Sequence, residues 1–213
     1  MKIVKYLIIV LLLFGCASKD LDLANEVDKA IVRVNETEAY KNHNHKKGLL
    51  SYYLPKDVGV KRSNQISTVM LVDNFEIFMA LNVSEIMNEE LEKLNLDTSS
   101  FVVIKNFETI NNRNETIDNT VIIEQLADNQ YLLYLKSAEM FFISSIPKAS
   151  IESVLEKMLI VSRTVYVDKK KVIAQFSNKE EMNFEKEVIE LFSESVPEEG
   201  FLKDIYESGN DDD

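Results

Sequence analysis

Three times along this chain, a run of β-branched and aromatic residues is interrupted by a short turn led by aspartate. Asp73-Asn74 separates residues 66–72 from 75–83, and Asp128-Asn129 separates 120–126 from 131–136. Asp168-Lys169-Lys170-Lys171 separates 163–167 from 172–176. Asp and Asn tolerate the left-handed backbone that tight turns demand, so this pattern predicts three β-hairpins and a mainly antiparallel sheet. Residues 49–54, halted by Pro55, 101–107, and 139–146, halted by Pro147, add further strands.

Two segments change period. Leu23, Val27, Ala30, Ile31 and Val34 make a one-sided apolar stripe, which predicts an amphipathic helix ending near Tyr40. Ser150 stands as a candidate N-cap before Ile151, Val154, Leu155, Met158 and Leu159, the clearest helical stripe in the chain. Glu152 would lie on its solvent face. A short helix is expected from Ser84 to about Leu94, and loops at 41–48 and, because of their Asn, Thr and Glu content, at 106–119. Hairpins with helices packed on them define an α+β fold.

Composition matters here for what it excludes. Of 213 residues, 46% are hydrophobic and 28% charged, enough apolar content for a real core. A single Cys excludes a disulfide framework or a multi-thiolate zinc site, and a formal charge of −12 argues against nucleic acid as a partner. The acidity is concentrated late. Residues 180–213 hold 13 acidic and two basic side chains, yet Phe184, Val188, Leu191 and Phe192 keep a helical stripe, predicting a docked helix to about Ser195 and an acidic end beyond it.

The N-terminus points to a location. Lys2 and Lys5 precede an unbroken apolar run over residues 6–14, which would reach only ~14 Å as a helix, short of a ~30 Å hydrocarbon core. Leu13-Phe14-Gly15-Cys16 closes that run and resembles the lipobox of bacterial lipoproteins. The resemblance implies cleavage before Cys16, lipid on its thiol and acylation or a free amine at the new N-terminus, with two acyl chains sufficing for stable anchoring. A lipid-anchored protein on the extracytoplasmic face of a bacterial membrane is therefore expected, close to the surface because only residues 17–19 separate the anchor from predicted structure.

In the body, Leu50-Ser51-Tyr52-Tyr53-Leu54-Pro55-Lys56-Asp57, followed by residues 65–83, is similar to the opening of PsbP-like and DcrB-like domains. Residues 151–167, with Arg163-Thr164-Val165, resemble their late helix and closing strand. What this implies is a small extracytoplasmic binding or accessory domain built as a PsbP-like sandwich, with no catalytic residues to carry over. The expected organisation is a signal peptide at 1–15, a lipidated N-terminus with helix and basic loop at 16–47, the α+β domain at 48–195, and an acidic segment at 196–213.

Chemistry is sparse. The five glycines are too scattered for a phosphate loop, a dinucleotide fingerprint or a nucleophile elbow, so no cofactor is expected. His43 and His45, the only histidines, would point to one side of an extended segment and are weak metal candidates, opposed by Lys41, Lys46 and Lys47. The same lysines could face anionic headgroups. The pairs Glu89-Glu90, Glu180-Glu181 and Glu198-Glu199 are neighbours in sequence, and adjacent helical residues do not face one another. Aromatic residues on the strands read as core, with Phe78 or Tyr53 the candidates for an exposed face. Met70, Met79, Met87, Met140 and Met158 read as core filler. The expected role is a non-enzymatic binding or accessory one, with the membrane and an envelope or membrane protein as partners. The competing expectation is an envelope-modifying hydrolase with a carboxylate-based site.

Overall fold

A computed structural model describes residues 22–87 and 101–177. The fold is α+β: a seven-stranded antiparallel sheet, a small three-stranded antiparallel sheet, and helices packed on them. The first helix, α1, spans Leu23–Asn35, followed by β1 (His45–Lys46) and β2 (Leu50–Tyr52). Strands β3 (Gly59–Ser63), β4 (Ser67–Val72) and β5 (Phe75–Leu81) form one meander, closed by the short helix α2 (Val83–Met87). Strands β6 (Phe101–Ile110), β7 (Thr116–Ala127), β8 (Gln130–Ser137) and β9 (Met140–Pro147) form a second. A single 3₁₀ turn leads into α3 (Ile151–Ser162), then β10 (Tyr166–Val167) and α4 (Lys169–Phe176).

The two meanders join where β5 pairs with β9, giving the order β3-β4-β5-β9-β8-β7-β6. At the β4–β5 turn, Asp73 and Asn74 have φ of 49° and 70°, the double left-handed signature of a type I′ hairpin. Asn129 (φ 60°) makes the β7–β8 turn, beside a bulge between Gln125 and Ala127. Two of the three expected hairpins form at the expected dipeptides.

One face of the large sheet carries α1 and α3 side by side. The predicted stripes are the buried ones: Val27, Ala30, Ile31 and Val34 from α1, and Ile151, Val154, Leu155, Met158 and Leu159 from α3. They share a core with Ile77 and Met79 of β5, Val121 and Ile123 of β7, Leu133 and Leu135 of β8, and Phe142 of β9. Met70, Met140 and Met158 are buried in that core as expected, with Met87 packed against it.

Strand side chains alternate between faces, so Phe78 and Ala80 of β5 point the other way. They build a second buried cluster with Val69, Leu132, Phe141 and Ile143. Phe78 is therefore core and not an exposed-face residue, because this central strand is apolar on both sides.

Five further expectations change. The segment after Asp168 is a helix: the Asp168 carboxylate accepts from the Lys171 amide at 3.2 Å, capping α4, and only Tyr166–Val167 remain extended, paired with Leu50 and Ser51. The supposed loop at 106–119 is mostly sheet, since β6 and β7 stay paired out to Ile110 and Thr116. Helix α1 stops at Asn35, where the Thr37 hydroxyl (3.0 Å) and the Arg163 guanidinium both take the Val34 carbonyl. Glu152 faces α1 and not solvent: its side chain is 17% exposed and meets Arg33 at 2.7 Å. Within the expected 41–48 loop, His45 and Lys46 pair with Tyr52 and Ser51. The signal segment with Cys16, the expected continuation of α2 to Leu94, and the stripe at 184–192 lie outside the described residues.

Candidate functional site

A cleft of about 890 Å³ opens where the β6–β7 turn, the β8–β9 turn and the β10–α4 junction meet. Ligand sites commonly fall between about 300 and 1,000 Å³. Each wall is built by a local device.

The β6–β7 turn is wound around Asn111. Its Oδ1 accepts from the amides of Arg113 (2.8 Å) and Glu115 (2.9 Å), while its Nδ2 donates to the Glu115 carboxylate at 2.8 Å. Asn114 supplies the left-handed residue, φ 61°. These donors, Asn111 first and Arg113 second, hold the Glu115 carboxyl below the usual carboxylate range. The Arg113 guanidinium also lies 5.8 Å from the Tyr166 ring centre, tying the turn to β10.

The β8–β9 turn is tighter. Ala138 takes φ 48°, a left-handed conformation that side chains with a Cβ resist. Before it, the Ser137 hydroxyl is buried at the cleft and has no hydrogen-bond partner among the described residues. Lys136 meets Glu85 of α2 at 2.9 Å, and Lys169 of α4 pairs with Glu139. Asp168, already the α4 cap, also meets the Lys171 ammonium at 3.1 Å, and these contacts lower its pKa. Four carboxylates of the walls are thus tied to cations. Asp118 and Lys170 are left without an ion pair among the described residues.

His43 meets the β6–β7 turn from outside the cleft lining, through Asn112. Its Nδ1 is 2.7 Å from the Ser51 hydroxyl and its Nε2 is 3.1 Å from Asn112 Nδ2. Because that same Nδ2 donates to the Tyr40 carbonyl at 3.3 Å, the amide's orientation is set and Nε2 must accept. The imidazole is then neutral, with Nδ1–H donating to Ser51. Burial lowers the His43 pKa, helped by the charges of Lys46 and Arg113 and opposed by the Thr164 backbone. A serine that accepts from histidine is not being activated as a nucleophile, so this trio works as a clasp joining the α1–β1 connection, β2 and the β6–β7 turn.

The two histidines do not converge. His45 lies against the Tyr52 ring (5.5 Å), whereas His43 engages Ser51, and consecutive strand residues leave opposite faces. Among the described residues, no group of three or more His, Cys, Asp or Glu side chains gathers to hold a metal ion. The three Glu-Glu pairs and Cys16 lie outside the described residues.

Sequence reasoning missed the cleft and Arg163. That guanidinium, 4% exposed, donates through Nε to the Ile110 carbonyl (2.6 Å), through Nη2 to Thr37 (3.0 Å) and through Nη1 to Val34. Burial alone pushes its pKa down from the usual arginine range. No sequence signal marks it, since its partners lie 53 to 129 residues away.

No protein-family model matches the chain, and no curated protein matches it significantly. Among the described residues no helix is long and apolar enough to cross a membrane.

Proposed function

We propose that this chain is a lipid-anchored protein of the extracytoplasmic face of a bacterial membrane, with a non-enzymatic binding or accessory role. The observation that carries the reading is Leu13-Phe14-Gly15-Cys16 at the end of a short apolar run with a charged start. The first described helix, α1, starts seven residues after Cys16 in sequence, a separation that no chain conformation can stretch beyond about 25 Å. Lys41, Lys46 and Lys47 are exposed, which suits a surface near anionic headgroups.

Binding is favoured over turnover by the state of the polar groups. In the cleft, Glu85, Glu115, Glu139 and Asp168 are committed to neighbouring cations, and outside its lining His43 is committed to Ser51 and Asn112. Such a wall presents a rigid pattern of charge to an envelope or membrane-protein partner.

The test is metabolic labelling with a fatty-acid analogue in cells making the native chain or Cys16→Ala. Labelling and membrane retention of the native chain, both lost in the variant together with accumulation of the longer precursor, are expected. Undiminished labelling of Cys16→Ala would overturn the anchor. Hydrolysis of an envelope polymer that disappears in Asp118→Asn would overturn the binding role.

A further inference from the structure

The large sheet has two faces, and all four described helices are committed to one of them: α1, α2, α3 and α4 each supply apolar side chains to the core that holds Met79 and Phe142. The cluster on the opposite face is built from strand residues alone, Phe78, Leu132 and Ile143 among them. Side chains on one face of a sheet stand side by side and leave their tips bare unless a second layer covers them. Phe78 and Leu132 are nonetheless fully buried. That burial exists in a single copy of the chain, so the chain itself supplies the cover.

The sheet register says where the cover lies. One row across this face runs Val69, Phe78, Ile143, Tyr134, Ile122, Ile104, from β4 to the edge strand β6. Val69, Phe78 and Ile143 are at most 1% exposed, whereas Ile104 is 51% exposed. The cover therefore lies over β4, β5, β9 and β8 and stops short of β6.

Helix α4 ends at the corner of that patch. Gln175 Nε2 donates to Gln65 Oε1 at 2.9 Å, two residues before β4 begins, and Ser67 of β4 pairs with Ala80 of the cluster. The stripe Phe184, Val188, Leu191 and Phe192 begins seven residues after Ser177, a reach of up to about 25 Å. As a helix, residues 184–192 would be about 14 Å long. From β4 to β8 there are three strand spacings, also about 14 Å in all. Residues 88–100 suit the patch less well. They have to finish at Phe101 on β6, where the cover has already ended, and Leu91, Leu94 and Leu96 are their only large apolar side chains.

We propose that residues 184–192 form a helix seated across β4, β5, β9 and β8, with Phe184, Val188, Leu191 and Phe192 turned onto Phe78 and its neighbours. The sheet is then closed between two helical layers, and the acidic end at 196–213 leaves from the layer opposite α1 and α3.

The test is site-specific photo-crosslinking in the full chain, with p-benzoylphenylalanine placed at Phe184, at Phe192 or at Leu91, followed by digestion and mass mapping of the monomeric product. Positions 184 and 192 should each link to peptides bearing Val69, Phe78 or Phe141, and position 91 should not. As a second readout, Phe184→Ala with Phe192→Ala should lower the melting temperature of the full chain by about 5–10 °C. Adducts on those peptides from position 91 alone would give the face to residues 88–100 and overturn the proposal. So would adducts only between copies, no adduct from 184 or 192, or an unchanged melting temperature in the double variant. None of these results depends on lipid at Cys16, so the anchor stands or falls separately.

Discussion

Arg163 at the end of α3 donates from Nη1 to the carbonyl of Val34 in the last turn of α1, across 129 residues of sequence. Because the same guanidinium also holds Thr37 and Ile110, one buried cation ties together the two helices and the wall of the cleft. Carbonyls at a helix end carry a partial negative charge, which is how this arginine is tolerated without a carboxylate.

Removing that guanidinium takes a charged donor from three carbonyls, of which Val34 keeps the Thr37 hydroxyl while Thr37 and Ile110 lose the donor this side chain supplies. Arg163→Met should therefore lower stability by about 3 kcal/mol, and Arg163→Lys should recover only part, since a lysine cannot reproduce the fork. Urea unfolding of both variants measures this; equal midpoints for native chain and Arg163→Met would show that the cap carries no energy.

His43 gives stability a pH dependence of known sign. Its pKa is lowered in the folded state, so the unfolded chain takes up its proton first as pH falls. The stabilisation is present above the unfolded value near 6.5 and is lost as pH drops through the lower folded value. A plot of melting temperature against pH should slope between pH 7 and 5, and His43→Gln should flatten that part of the curve. Asp57, held low chiefly by Lys157, should leave a separate loss at more acidic pH in both proteins.

Helix α3 offers a paired comparison. Leu155 is fully buried against the sheet, and Leu155→Ala should cost about 2–5 kcal/mol. Glu152 meets Arg33 between the helices, so Glu152→Ala should cost about 1 kcal/mol, more than a solvent-face substitution would. Denaturant midpoints check the order; indistinguishable losses would mean that α3 is not seated as described.

Ala138 holds a left-handed conformation at the first position of the β8–β9 turn. That position suits glycine in a type II′ turn, so Ala138→Gly should raise stability by about 0.5–1 kcal/mol, the relief of strain exceeding glycine's extra unfolded-state entropy. A fall in melting temperature would show that the backbone at this turn is not strained.

Sequence by itself determined what local chemistry decides. The Asp73-Asn74 turn forms because two small polar residues accept positive φ, and the α3 stripe forms because its spacing matches a helical turn. The signal-like motif at Cys16 is likewise local and needs no fold to be read. Tertiary structure decided the rest. Residues 172–176 open with β-branched Val172 and Ile173 and read as a strand after a turn at 168–171, but β10 pairs with β2 outside the large sheet, and Asp168 caps a helix instead. Phe78 reads as half of an alternating strand, and only burial on both faces of β5 makes it core. The cleft, the His43 clasp and the Arg163 cap each join elements far apart in sequence, and spacing alone carries no record of which distant carbonyl or amide a side chain will meet.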